Sequence, residues 1–199
     1  MLRGGIAAII LAAGKSSRMG SNKLVLEING RSMLRHVAEA AIASRARPVV
    51  AVLGNDSAAV ATTLEGLDIV LLENPDFRDG LSASIRIGIA ALPETVAGAL
   101  ILLGDMPAIS PGLIDRVIEA FDGCGGSICV ATHNTQRGHP VLFARRYFPE
   151  FLKLEGDVGA RGVIETHADY VLEIETEDDG PLVDIDTPDA LAEFRALRS

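Results

Sequence analysis

Tryptophan is missing from this chain, aromatic residues make up only 4% of it, and cysteine occurs twice, at Cys124 and Cys129. So few aromatics exclude a stacking platform for single-stranded nucleic acid. Two cysteines supply neither a disulfide framework nor a four-ligand zinc site, and the expectation is a reducing, cytoplasmic setting with both thiols serving as small buried residues. No apolar run approaches the ~18 residues of a membrane span. Cationic excess is also lacking: 18 basic residues face 27 acidic ones, a formal net charge of −9, which argues against general DNA or RNA binding.

What is present is a chain of 199 residues, 48% apolar, with 20 glycines and 9 prolines. That is enough apolar side chain for a proper core and a length suited to one domain, expected to span 1–199. The start, Met1-Leu2-Arg3 and then an apolar stretch, mimics a signal peptide. Because the stretch ends at Ala13 and leads straight into a glycine- and cation-rich loop, it reads instead as a buried strand feeding a functional loop.

Apolar runs of strand length recur at 6–11, 48–53, 68–72, 99–103, 127–131, 140–143 and 170–174. Most are nearly continuous Val, Ile, Leu and Ala, the composition of strands covered on both faces. Between them, Ile114, Val117, Ile118 and Phe121 keep helical spacing, as do Ile85, Ile89 and Leu92. Ser110-Pro111 and Thr187-Pro188 each place a capping residue before a first-turn proline. The alternation predicts a three-layer α/β/α sandwich on a mostly parallel sheet. Ligands of such sheets sit beyond the carboxyl ends of the strands, so the residues after each run are the candidates for chemistry.

After the first run come Leu11-Ala12-Ala13-Gly14-Lys15, then Arg18 and Lys23. Gly14-Lys15-Ser16 imitates a P-loop ending, but Ile9 stands where that motif needs glycine. The segment remains a long loop whose glycines let backbone approach a polyphosphate and whose cations neutralise it. Charge is segregated along the chain: residues 1–35 hold six basic side chains against Glu27, whereas 170–199 hold nine acids against Arg195 and Arg198. Either these are unrelated solvated faces, or a cationic site meets a carboxylate-rich end in the fold. Asp105, in Gly104-Asp105-Met106-Pro107 just after an apolar run, is placed to hold Mg²⁺ against phosphate oxygens or to bond its own turn. Asp186, ahead of the Thr187-Pro188 helix start, is a second metal candidate or a favourable helix N-terminal charge. Ser82, in Gly80-Leu81-Ser82-Ala83-Ser84, caps a helix, or the helix start there is a site for phosphate or for hydrogen bonds to a base edge. His139 suits a structural or substrate-contacting role better than proton transfer, because a phosphate nucleophile is already an anion.

The pattern L-A-A-G-x-S-x-R-M-G-x-x-K over 11–23 resembles the signature of the nucleotidyltransferases that build dinucleotide forms of the molybdenum cofactor, the MobA-like NTP transferases. The resemblance continues in order through Asn74-Pro75, Gly80 to Arg86, Gly104 to Pro107, Gly138 to Val141, Gly156 to Arg161 and Asp184 to Pro188, spanning almost the whole chain. It implies transfer of CMP from CTP to the terminal phosphate of molybdopterin, with Mg²⁺ as cofactor. Leu11, Ala12, Ala13, Gly14, Lys15, Arg18, Lys23, Gly80, Ser82 and Ser84 would hold the nucleotide. Arg18, Lys23 and Asp105 would be catalytic, Asp105 and Asp186 the metal ligands, and His139, Asp157 and Arg161 the pterin side. Ala13, where guanylyl transferases of this kind usually carry glycine, points to the CTP-using branch. A client molybdoenzyme of the dehydrogenase or oxidase type is a further implied partner. A GTP-using enzyme, a transferase acting on a sugar phosphate or other small phosphate, and a non-enzymatic cofactor-delivery chaperone are the alternatives.

Overall fold

The computed structural model describes residues 4–14, 22–124, 127–154, 156 and 159–197. In chain order they form β1 (Ile6–Ala12), β2 (Glu27–Ile28), β3 (Arg31–Ser32), α1 (Met33–Ala43), β4 (Val49–Leu53), α2 (Ser57–Thr62), β5 (Val70–Glu73), α3 (Leu81–Ala90) and β6 (Gly98–Leu103). Then follow α4 (Pro111–Gly123), β7 (Ile128–His133), β8 (Gln136–Ala144), α5 (Phe148–Phe151), α6 (Arg161–Thr166), β9 (Val171–Glu175) and α7 (Pro188–Leu197). Each of the seven apolar runs is a strand of one sheet, ordered β5-β4-β1-β6-β8-β7-β9. Within it β8 alone runs against the rest, pairing antiparallel with both β6 and β7. The expected mostly parallel, mixed sheet flanked by helices is what the chain adopts.

Burial on both faces explains why the central strands are unbroken apolar runs. All seven residues of β1 are buried, as are all five of β4. Helices α1 and α4 pack against each other and on the sheet, whereas α3 lies on β1 and β4 and packs against α5. The amphipathic reading of α4 holds: Leu113, Ile114, Val117, Ile118 and Phe121 are its buried residues, and Ser110 caps it by accepting from Leu113 N–H at 3.2 Å. Thr187 likewise accepts from Ala190 N–H at 3.2 Å at the start of α7. A two-stranded ribbon, β2 with β3, had not been expected. Its turn is Asn29-Gly30, both at positive φ (51° and 78°), the two-residue composition that favours a hairpin.

Register brings the chemistry to one edge. Ala12 pairs with Leu53, and Leu11 with Leu103, so β1, β4 and β6 end side by side. The segments that follow them, Ala13-Gly14, Gly54-Asn55 and Gly104-Asp105, therefore emerge together. Reversal of β8 adds to this: Val141 pairs with Ile101, so the start of β8, with His139, lies toward the same end of β6. Among the described residues, no helix is long and apolar enough to cross a membrane.

Candidate active site

Lys23 opens a short 3-10 turn, Lys23–Val25, whose preceding residue Asn22 accepts from Leu24 N–H at 3.1 Å. The other end of the Asn22 side chain donates to the carbonyl of Asn55 at 3.1 Å, tying this turn to the loop after β4. Held this way, the largely buried Lys23 donates to Asp105 Oδ2 at 2.6 Å and to Asp186 Oδ1. The two aspartates come from positions far apart in the chain. They are joined because Ile185 N–H donates to the Asp105 carbonyl at 3.0 Å, while the Ile185 side chain is buried beside Ile28, Met33 and Phe194. The cationic beginning and the acidic end of the chain do meet, through these three side chains.

Electrostatics follow from this geometry. Burial alone would lower the Lys23 pKa, but the Asp105 and Asp186 carboxylates outweigh it and hold the ammonium above the ordinary lysine range. Asp105 Oδ1 is buried without a hydrogen-bond partner among the described residues. An ionised oxygen left without a partner is costly unless a ligand satisfies it. Two carboxylates close enough to share one ammonium can also share one divalent cation, and Mg²⁺ characteristically takes one or two carboxylates together with phosphate oxygens and water. Among the described residues no group of three or more His, Cys, Asp or Glu gathers into a metal site, so the carboxylate pair is the candidate.

Two cavities adjoin here. The first, of about 370 Å³, is lined by Leu11, Ala13, Gly14, Lys23, Gly80, Ser84 and Asp105 of the expected set, and also by Leu24, Phe77, Leu81 and Leu103. The second, of about 460 Å³, is lined by His139 and Arg161, with Arg137, Glu165 and a largely apolar floor. Leu11, Leu81 and Leu103 line both, so they form a shared wall. His139 is held below the ordinary histidine range by burial, only partly offset by the Ile101 carbonyl 3.4 Å from Nδ1 and by the Asp105 charge. Arg161 forms an exposed pair with Glu165 at 2.8 Å.

Some expected residues sit elsewhere. Ala12 is 1% exposed and belongs to the core, because neighbouring strand residues face opposite ways and Ala13 is the one that reaches the cavity. Ser82 does not cap α3 and lines neither of these two cavities. It is fully buried, donates its N–H to the Gly156 carbonyl (3.2 Å) and accepts from Gly159 N–H (3.3 Å), so it ties Gly156 and Gly159 to the first turn of α3. Ser84 lines the first cavity while accepting from the buried Asn74 Nδ2 at 2.9 Å. Gly80, at φ 98°, adopts a backbone conformation suited to glycine just before α3. Lys15, Arg18 and Asp157 lie outside the described residues. Sequence reasoning gave no site role to Phe77, Leu24 or Asn22, and it met Leu81 and Asn74 only as parts of longer motifs.

Comparison with known proteins agrees with the architecture. The bifunctional protein GlmU of Micrococcus luteus is 31% identical over 135 residues, a match covering 63% of this chain but only 27% of that protein's length. The purine catabolism protein PucB of Bacillus subtilis is 30% identical over 92% of this chain and 93% of its own. Among solved structures, Rv0371c of Mycobacterium tuberculosis superposes with a TM-score of 0.82 at 29% identity, covering 98% of this chain and 99% of that one. A second structure of Rv0371c is a complex with manganese, with a TM-score of 0.80 at 26% identity over 96% of this chain and 98% of that one. The family description "MobA-like NTP transferase domain" matches residues 8–171, from within β1 to the start of β9. Most of the sheet, both cavities and two of the three side chains of the Lys23–Asp105–Asp186 cluster fall inside that span, and the chain belongs to the MobA-like NTP transferase family.

Proposed function

We propose that this nucleotidyltransferase moves CMP from CTP onto the terminal phosphate of molybdopterin, giving the cytosine dinucleotide and pyrophosphate. The observation that carries the reading is the Lys23–Asp105–Asp186 cluster, whose Lys23 and Asp105 line a cavity that shares Leu11, Leu81 and Leu103 with a second one. Nucleotidyl transfer needs a donor site and an acceptor site meeting at a point of charge control, and positioning plus electrostatics do most of the work. The first cavity is the donor site in this reading, and the second takes the pterin side through His139 and Arg161, with Asp157 assigned the same task by the sequence resemblance.

Asp105 and Asp186 would hold Mg²⁺, which when bound neutralises charge developing on the phosphates. The manganese complex of Rv0371c supports a divalent ion in a relative of this fold. Lys23 grips the triphosphate, with Arg18 and Lys15 assigned the same task by the sequence resemblance. Backbone at Gly14 and Gly80 offers close approach to the nucleotide. The neutral His139 contacts substrate rather than accepting a proton, since the attacking phosphate is already ionised.

CTP over GTP rests on Ala13, whose methyl lies on the donor cavity wall where it reduces room for a purine. One methyl is worth only about 1–3 kcal/mol of discrimination, so the wall must contain further determinants. The decisive experiment mixes the protein with molybdopterin and each of four NTPs in turn, and measures pyrophosphate and dinucleotide. Product with CTP above the other three supports the full reading. GTP used as well as CTP removes the base assignment alone, and pyrophosphate release only with other phosphorylated acceptors transfers the activity to a sibling transferase. No pyrophosphate with any NTP would favour a cofactor-delivery role.

A further inference from the structure

The donor cavity has one aromatic side chain among its described lining residues, Phe77. It lies in the 3-10 turn Phe77–Asp79 between β5 and α3. Lys23 and Asp105 give the cavity its charged lining, suited to phosphates and their counter-cation. Phe77 and Ala13 are the apolar counterpart, and the part of a nucleotide that an aromatic ring recognises is its base.

Three elements set the position of this ring. Gly54, just past β4, has no side chain, and a Cβ placed there would come 2.7 Å from both Ala13 Cβ and Phe77 Cβ. Ala13 and Phe77 thus converge on the same bare patch of backbone, and only glycine lets them do so. Asn74, buried at the end of β5, accepts from Asp76 N–H at 3.0 Å and donates to Ser84 Oγ at 2.9 Å. The turn carrying Phe77 is thereby fastened to the first turn of α3. The Arg78 guanidinium lies 5.7 Å from the ring centroid, which adds a favourable cation–π contact on one side of the ring. A ring fixed in advance loses little entropy when a base packs on it.

We infer that Phe77 is the base-contacting wall of the donor cavity and that it, together with Ala13, sets which nucleobase is admitted. This rests on the nucleotidyl-transfer reading above. It supplies the additional determinant that one methyl at position 13 cannot provide. The chemistry recognised is a planar heteroaromatic base.

The test compares calorimetric binding of CTP, GTP and inorganic tripolyphosphate, all with Mg²⁺, to wild type, Phe77→Ala and Phe77→Leu. Tripolyphosphate carries the charges of the donor but no base. Phe77→Ala should weaken CTP binding about tenfold or more, the usual scale for losing one base–aromatic contact. It should leave tripolyphosphate within about twofold and bring CTP and GTP affinities closer together. Phe77→Leu, which keeps apolar bulk, should recover part of the CTP affinity, and unchanged melting curves confirm that the fold persists. Parallel loss of CTP and tripolyphosphate binding, or unchanged CTP binding, would overturn the assignment of Phe77 while leaving the transferase reading intact. A wild type that binds tripolyphosphate but no NTP more tightly overturns both.

Discussion

The Lys23 ammonium stands 2.6 Å from Oδ2 of Asp105 and is hydrogen-bonded at the same time to Asp186. Its pKa is set by burial, which lowers it, and by the two carboxylates, which raise it further. The stability this contributes is present below the ordinary lysine pKa and is lost as pH rises through the elevated folded value. A divalent cation shared by Asp105 and Asp186 must compete with that ammonium for the same oxygens. Lys23→Met keeps the stem and removes the competitor. Manganese titrated without nucleotide should then bind more tightly, roughly tenfold, because the carboxylates are left uncompensated. CTP should bind more weakly in the same variant, having lost a charge-assisted contact. Unchanged manganese affinity would mean that metal and ammonium do not compete.

Asp105→Asn tests the metal assignment from the other side. The amide keeps the shape of the carboxyl group and the turn before Pro107, so the melting temperature should move by no more than a few degrees. Oδ1, buried without a hydrogen-bond partner among the described residues, suits a cation better than a neutral amide does. Turnover should fall on the order of 10²–10³-fold, the scale of losing one charge-stabilising group. A variant that melts early yet turns over normally would make Asp105 a turn residue and nothing more.

The central strands were legible because burial on both faces leaves a simple record, continuous apolar residues and then a change of composition, whereas the polar start of β8 from Gln136 leaves none and was not foreseen. Asp105 and Lys23 could be singled out since each follows such a change. What sequence could not show is direction within an element. Ser82 and Ser84 are two apart on a helix and so point to different faces. Ser84 lines the first cavity and Ser82 holds Gly159, yet both are small hydroxyls in the same first turn. Phe77 drew no site role from the sequence, and Leu81 drew none beyond its place in the Gly80–Ser84 segment, because an apolar side chain on a cavity wall has the same composition as one in the interior. The meeting of Asp105 with Asp186 depends on one backbone hydrogen bond, from Ile185, which has no signature in residue type.

Ser82→Ala separates the two roles that sequence leaves open for this residue. It deletes the acceptor used by Gly159 N–H, while the Ser82 backbone bond to Gly156 survives. Losing one such bond costs about 1 kcal/mol, or roughly 2–4 °C of melting temperature at this size. Because Gly159, Ala160 and Arg161 line the second cavity, KM for the acceptor should rise, by about three- to tenfold. KM for CTP should stay the same. A selective rise in KM for CTP would return Ser82 to the nucleotide.

His139 lines the second cavity, and its folded pKa lies below the ordinary histidine value, chiefly through burial. The imidazole is therefore neutral at pH 7. On acidification the unfolded chain takes up this proton first, near the ordinary value of about 6.5, while the folded chain resists it. Stability linked to His139 is thus present above that pH and is lost as pH falls toward and through the lower folded value. His139→Gln retains polar contacts but removes the titration, so the acid-induced loss of stability should shrink. For the reaction the expectation is a KM effect: acceptor KM rises, kcat changes little, and the pH–rate profile between 6 and 8 keeps its shape. A general base would behave otherwise, with kcat falling about 10²–10⁴-fold and the limb of the profile that depends on its deprotonation disappearing. Measuring kcat and acceptor KM across that range in both proteins distinguishes substrate contact from proton transfer. Loss of that limb together with kcat would overturn the contact role, because an anionic phosphate nucleophile leaves no proton for His139 to remove.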